Sequence, residues 1–561
     1  MDLHESLARA PFFLDAGSIA WVQRTCEQLT PRQKLQQLFV LLQNIDDPES
    51  AVQRMQHQPG GVHRKWGADI ESAWRTTRAV LEHAHVPPFI TGDQEGGGYG
   101  APCATPLPNA MGTAAMADPA LAADVARVLA AESRSMGFNW SFTPVADIAH
   151  RPDSAIVGTR SYGSNLSTIA EQSLIHLKAL QAAGIAATAK HWPGEGFDRR
   201  DQHLVTTVNP LSWDDWMASF GRVYRQLIAA DVMSVMVGHI AWPAGAQRLN
   251  PDCGRSAWQP ATVSHELNTL LLRREFGFNG LIVSDATSMG GFGSWAARAR
   301  MVPALVASGC DVLLFSRHPE QDLACLEAAV AAGTLSLARV EEAVTRVLAL
   351  KAALGLHRMS LDQRLAPLEE VRRALATPAY QQVAERAAAA SVTLVKNIDV
   401  LPLSLPRHRR VVVASTGIET QQQAGPASPL NELLDGLRAR GFELRHYDAE
   451  HPPTPADTDL VLYLLAKESM MCHSHIEVEW GRLHGGPRQG MQRCWHDLPT
   501  VMVSFGHPAY LLDAPRVPAY INAYSAGAPQ QRAVLRKLLG EEPFTGSSPI
   551  DPFCGQEEAR W

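Results

Sequence analysis

The feature that most constrains this chain is an alternation. Over roughly its first 350 residues, short apolar runs trade places with longer alanine-rich stretches at helical spacing. The runs are Leu38–Leu42, Pro88–Gly92, Trp140–Val145, Ala186–Lys190, Ser234–His239, Leu281–Ser284 and Asp311–Phe315. Between them lie segments such as Pro119–Ser135 and Ser167–Ala183. Strands that alternate with helices pair in parallel and build βα units. Seven or eight such units predict a closed (β/α) barrel, with a doubly wound open sheet as the alternative.

Polar residues stand at the ends of several of these runs. Asp93 and Glu95 follow Pro-Phe-Ile-Thr-Gly, Lys190 and His191 follow Ala-Ala-Thr-Ala, His239 closes Ser-Val-Met-Val-Gly, and Asp285 follows Leu-Ile-Val-Ser. In a barrel the C-terminal strand ends share one rim, so these groups converge although they are distant in sequence. Each alone reads equally well as a polar residue that stops a strand; together they point to a site.

Asp322–Leu356 reads as a helical pair broken at Gly333, followed by a polar stretch around Ser360–Glu370. A second alternating region starts near Ser391. Its strands are Val411–Ala414, Leu460–Leu465, Val501–Ser504 and Tyr520–Ala523, with helices over Leu430–Arg440 and Gln530–Leu539. This predicts a barrel over 1–358, a helical connection over 359–390 and a smaller α/β sandwich over 391–561.

Composition excludes several classes. Charged residues are 19% and the formal net charge is −7, with no dense basic block, so a nucleic-acid partner is not expected. No apolar run of about 18 residues suggests a membrane span, and the N-terminus does not read as a signal peptide. The eight cysteines are scattered without a Cys-x-x-Cys pair, which predicts reduced thiols and a cytoplasmic location. Cys472-His473-Ser474-His475 has no second ligand cluster and reads as a polar loop, so no metal is expected.

Three segments carry chemistry. In Lys190–His203 a strand ends at Lys-His, and a Pro/Gly turn leads into a charged loop that closes with Asp201-Gln202-His203. A carboxylate two residues from an imidazole can fix its tautomer and raise its basicity, leaving the other nitrogen for proton transfer. In Gly280–Met289, Asp285 ends an apolar strand; helix capping and a nucleophile aimed into a pocket are both open to it. In Thr91–Gly100, Asp93 and Glu95 sit in a glycine run without the Gly-Lys-Ser/Thr ending of a phosphate loop, which suits sugar hydroxyls better than nucleotides.

Together these segments resemble family 3 glycoside hydrolases, especially the bacterial β-N-acetylglucosaminidases. The family's Asp-Gln-Glu-Gly-Gly matches Asp93–Gly97, Phe-x-Pro-Val-x-Asp matches Phe142–Asp147, and Arg-Ser-Tyr/Phe-Gly matches Arg160–Gly163. Its Lys-His-Phe/Trp-Pro-Gly loop ending in Asp-Ser-His resembles Lys190–His203. Met-x-x-His-Ile matches Met236–Ile240, and the nucleophile element matches Ser284–Met289. Ser391–Asn397 with Leu401-Pro402-Leu403 looks like the family's entry into its second domain. The chain departs at Glu195, where the family has a second loop histidine, and at Gly98, where it has an arginine.

The resemblance implies a TIM-like (β/α)8 barrel followed by an αβα sandwich. It implies Asp285 as nucleophile, His203 as acid/base oriented by Asp201, and Asp93, Arg160, Lys190, His191 and His239 as sugar ligands. The substrate would be a carbohydrate with a terminal β-linked N-acetylglucosamine, and no cofactor would be needed. The alternatives are a β-glucosidase that uses a second-domain glutamate such as Glu477 or Glu479, a phosphate-dependent phosphorylase of the same family, and a glycan-binding protein without turnover.

Overall fold

The computed structural model describes residues 3–417, 430–473 and 476–561. Ser474 and His475 of the Cys-His-Ser-His segment lie outside them. Two compact units form. The first runs up to Gln94 and takes in Leu129–Ile148 and Ile169–Leu375. The second takes in Glu95–Val128, Ala149–Thr168 and Ala376–Trp561. Two insertions from the first third of the chain therefore belong with the C-terminal unit.

The first unit is an eight-stranded parallel barrel. Its strands are β1 (Phe39–Gln43), β2 (Gly61–Arg64), β3 (Phe89–Gly92), β4 (Trp140–Ser141), β5 (Thr188–Trp192), β6 (Ser234–Val237), β7 (Leu281–Ala286) and β8 (Val312–Leu314). They hydrogen-bond in the order β4-β3-β2-β1-β8-β7-β6-β5. Isolated parallel bridges, Trp140 to Ala186 and Val145 to Lys190, join β4 to β5 and close the ring. Parallel strands covered by helices are buried on both faces, so they read as continuous apolar runs. Every residue of β7 is buried, and so is every residue of β2, β3 and β6. β2 was not expected from the sequence. It aligns Val62 with Ile90 of β3, and at Gly61 a Cβ would stand 2.7 Å from the Phe89 Cβ.

A short parallel pair, Thr207–Val208 with Ile240–Ala241, links the loop after β5 to the chain leaving β6. It is too short to contribute much burial, but it fixes where the β5 loop returns.

The second unit holds a six-stranded sheet of β9 (Thr393–Asn397), β10 (Arg410–Thr416), β11 (Glu443–His446), β12 (Leu460–Leu465), β13 (Thr500–Ser504) and β14 (Ala519–Asn522). The order is β9-β14-β13-β12-β10-β11. Only β9 runs antiparallel to its neighbour; the other pairs are parallel. Strand side chains alternate between faces. Leu460, Leu462 and Leu464 accordingly enter one core with Leu433, Leu437, Val534 and Leu538. Val461, Tyr463 and Leu465 enter the other with Leu483 and Leu511. A sheet with a core on each face is the αβα sandwich expected from the sequence.

Candidate active site

Asp285 is the fifth residue of β7 and is buried, with only 8% of its surface exposed. Its Oδ1 accepts the Ala286 amide at 2.7 Å. Its Oδ2 is buried and accepts no hydrogen bond. A carboxylate oxygen left without a partner in an apolar strand is costly unless something else stabilises its charge. Three imidazoles do so. Burial pushes the Asp285 carboxyl up, but His191, His239 and His203, with the Ala286 amide, outweigh it and hold the group below its ordinary value. His191 Nε2 stands 3.9 Å from Oδ2.

His191 lies in β5, beside Trp192, whose ring packs edge-on against Trp216 and Tyr224. Nδ1 of His191 lies 2.6 Å from Asp147 Oδ2, and its backbone amide donates to Asp147 Oδ1. A carboxylate only accepts, so Nδ1 carries the hydrogen and Nε2 is turned to Asp285. The preceding Lys190 gives its ammonium to Asp93 Oδ1 at 2.9 Å, and Asp93 Oδ2 is 3.7 Å from His63 Nε2. Burial lowers the His63 imidazole to about 4, against the pull of Asp93. His239, which follows β6, is completely buried. Its Nε2 gives a hydrogen to the Ala286 carbonyl at 2.9 Å, and its Nδ1 faces the Thr262 hydroxyl at 3.1 Å. Burial lowers its pKa. It is thus a buried ring whose Nε2 is fixed on the backbone of the strand that carries Asp285.

The β5 loop carries the remaining pair. It turns at Gly194, whose φ is 115° and where a Cβ would meet the Phe220 ring at 2.3 Å; only glycine satisfies both demands. The loop then brings Asp201 Oδ1 to within 2.7 Å of His203 Nδ1 and 2.8 Å of the His203 amide. The carboxylate therefore takes the Nδ1 hydrogen, and proton exchange is left to Nε2. This loop docks on the one that follows Asp285. The Gly290 amide donates to the His203 carbonyl at 2.8 Å, and Thr206 Oγ1 donates to the Gly291 carbonyl at 2.7 Å. Side chains at 290 and 291 would collide with the Leu204 and Gln202 carbonyls.

Asp285, His203, Asp201, Asp93, Lys190, His191 and His239 are thus all found in the barrel unit. Arg160 is found in the second unit, where its Nε and Nη2 both bond Glu95 at 2.8 Å. In the same unit the amide of Gly98 donates to Glu468 Oε2 at 3.1 Å, and burial pushes that carboxyl up to about 7. Glu477 is exposed there, and Glu479 stands 3.8 Å from Arg482. Asp147 and His63, which orient or adjoin these residues, are not expected as site residues from the sequence. Asp147 ends the Phe-x-Pro-Val-x-Asp element, which was a usable signal; His63 sits in the unrecognised β2. Among the described residues, the donor atoms of Asp147, His191 and Glu195 come within 4.8 Å of one another, close enough for a metal ion. In this arrangement those donors hydrogen-bond one another and the loop around them.

Residues 30–350 match the family model described as the glycosyl hydrolase family 3 N terminal domain. The chain belongs to glycosyl hydrolase family 3. By class it is an O-glycoside hydrolase. A relative from Cellulomonas fimi, named beta-N-acetylglucosaminidase/beta-glucosidase, is 38% identical over 98% of this chain and 99% of its own length. A solved structure of beta-glucoside phosphorylase BglX superposes with a TM-score of 0.91 at 31% identity, covering 99% of this chain and 100% of that one. The family 3 beta-N-acetylglucosaminidase from Paenibacillus sp. str. FPU-7 has a TM-score of 0.77 at 24% identity, over 93% and 99% of the two chains, which attests the shared fold.

Proposed function

We propose that this family 3 chain is a retaining exo-β-glycosidase that releases terminal β-linked N-acetylglucosamine from glycans or cell-wall fragments. The observation that carries the reading is the state of Asp285: a buried carboxylate, held ionised, with Oδ2 unpartnered. Oδ2 attacks the anomeric carbon as the glycosidic C–O bond breaks, and a proton passes from His203 Nε2 to the leaving oxygen. Water then gives a proton back to Nε2 and its hydroxyl to the anomeric carbon, which frees Asp285. Two displacements retain configuration. Within the barrel unit, Asp93, Lys190, His191 and His239 hold the sugar hydroxyls. The Cellulomonas fimi relative supports the choice of sugar, because its name covers both the N-acetylglucosaminide and the glucoside.

A second reading concerns the acceptor. An imidazole base does not repel an anion as a carboxylate base would, so phosphate can take the place of water. The 31% identity to a beta-glucoside phosphorylase along the whole chain favours this for the second displacement. The product would then be a sugar 1-phosphate.

No helix among the described residues is long and apolar enough to cross a membrane. The free thiols of Cys26, Cys253, Cys310, Cys325, Cys494 and Cys554 support the proposal of a cytoplasmic location.

The test is mechanism-based labelling. A 2-deoxy-2-fluoro-β-glycosyl fluoride should add its sugar mass to the peptide that contains Asp285, and Asp285→Asn should abolish both labelling and turnover of p-nitrophenyl β-N-acetylglucosaminide. Labelling elsewhere, or turnover by the variant, would overturn the reading. Runs with and without phosphate separate the two acceptors.

A further inference from the structure

We infer that Glu195 and Gln202 form a latch that positions the acid/base imidazole, so that His203 is preset against the nucleophile rather than brought in by loop closure. The inference rests on the reading of His203 as acid/base.

Glu195 and Gln202 are 3% and 0% exposed. Glu195 Oε2 accepts from Gln202 Nε2 at 2.9 Å, and Oε1 accepts from Thr207 Oγ1 at 3.0 Å. At its other end, Gln202 Oε1 accepts the His239 amide at 2.7 Å. The carboxylate can only accept and the amide N–H can only donate, so the orientation of the Gln202 amide is set at both ends. Gln202 stands between Asp201 and His203, so fixing its side chain fixes the pair on either side. Thr207 opens the strand pair that follows, and its amide donates to the His239 carbonyl. The segment 201–207 is thus pinned to the backbone of His239 at two points and to Glu195 at two more.

Glu195 also serves the nucleophile side. Its amide donates to Asp147 Oδ1 at 2.9 Å, and Asp147 Oδ2 orients His191. One residue therefore couples the ring that faces Asp285 to the loop that carries His203. Glu195, where the resemblance expects a second loop histidine, and Gln202 bond each other directly. Buried polar groups of this kind hold geometry because every alternative leaves a donor or acceptor without a partner.

The experiment compares leaving groups in the full-length chain. Gln202→Ala should lower kcat/KM on the order of 10- to 100-fold for alkyl β-glycosides, whose departure needs a proton. It should lower it by less than about 3-fold for the 2,4-dinitrophenyl glycoside, whose departure needs none. Gln202→Glu sets two carboxylates side by side and should show the same dependence on leaving group. Adding Glu195→Gln to it exchanges the amide and the carboxylate, restores the bonds among residues 195, 202, Thr207 and the His239 amide, and should return activity to within a few-fold of the parent. Arg199 and Arg200 are exposed in this loop, so trypsin should cut there faster in Gln202→Ala than in the parent.

A loss that is equal for all leaving groups, or a double variant no better than Gln202→Glu, would overturn the latch. His203→Ala serves as the reference. If it shows no dependence on leaving group, the acid/base reading itself has failed. If it shows that dependence while the Gln202 variants do not, only the latch has failed.

Discussion

Oδ2 of Asp285 stands 3.9 Å from Nε2 of His191 and accepts no hydrogen bond. The fields of His191, His239 and His203, with the Ala286 amide on Oδ1, hold Asp285 ionised while Oδ2 stays free of hydrogen bonds. The charge on Asp285 is therefore sensitive to whatever orients His191.

Asp147→Asn tests that dependence. Without the carboxylate on Nδ1, His191 loses its fixed tautomer, and the Asp285 carboxyl should rise toward the value its burial favours. A carboxylate must be ionised to attack, so the acid limb of kcat/KM should move to higher pH. At neutral pH the loss should be about 10-fold, the usual scale for a residue that orients a functional group. An unmoved acid limb would show that the fields on Asp285 do not depend on Asp147.

Asp201→Asn tests the other pair. An amide can present its NH2 to Nδ1, which favours the tautomer with the hydrogen on Nε2 and weakens the imidazole as a base. Turnover should fall by about 10²- to 10⁴-fold for substrates that need protonation. Added azide should restore part of it in His203→Ala but not in Asp201→Asn, where the ring still blocks the way.

His63 gives a prediction for stability. Its imidazole is lowered to about 4 in the folded chain against an ordinary 6.5. Between those values the unfolded chain binds a proton that the folded one refuses, so stability falls as pH drops from 6.5 to 4. The full effect is about 3 kcal/mol. Urea unfolding at several pH values should show this slope in the parent and a shallower one in His63→Gln.

The Arg160–Glu95 pair gives another. Both side chains are buried, at 6% and 3% exposure. Glu95→Gln leaves the guanidinium without its counter-charge and should cost about 3–5 kcal/mol of unfolding free energy. Pairing it with Arg160→Met should recover most of that loss, because two neutral groups need no partner charge. Thermal unfolding of the three variants decides the point.

Much of the barrel was legible in the sequence, because its strands are buried on both faces and read as unbroken apolar runs. Leu281-Ile282-Val283 marked β7 in this way, and it delivered Asp285 to the rim. β2 escaped because Gly61-Val62-His63-Arg64 offers a single large apolar side chain; its burial comes from Arg64 bonding to Asp46 and to the Gln43 carbonyl inside the fold. β11 escaped because Glu443–His446 is an edge strand without buried residues. The split of the first third of the chain between two units also left no local trace, since it depends on contacts more than 300 residues apart, such as Thr159 with Ser469. Asp201 with His203 could be read from spacing alone, whereas Glu195 with Gln202 could not: a seven-residue separation that includes Gly196 fixes no geometry until the loop has folded.

The ring of strands is fastened at its weakest point by an indole. β4 and β5 share only isolated bridges, yet Trp140 Nε1 reaches across the inside to Thr188 Oγ1 and Ser234 Oγ at 2.9 and 2.8 Å. Lys190 and His191 lie two and three residues beyond Thr188. Slackening that one clasp would therefore reach the Lys190–His191 end of β5 before any other part of the rim.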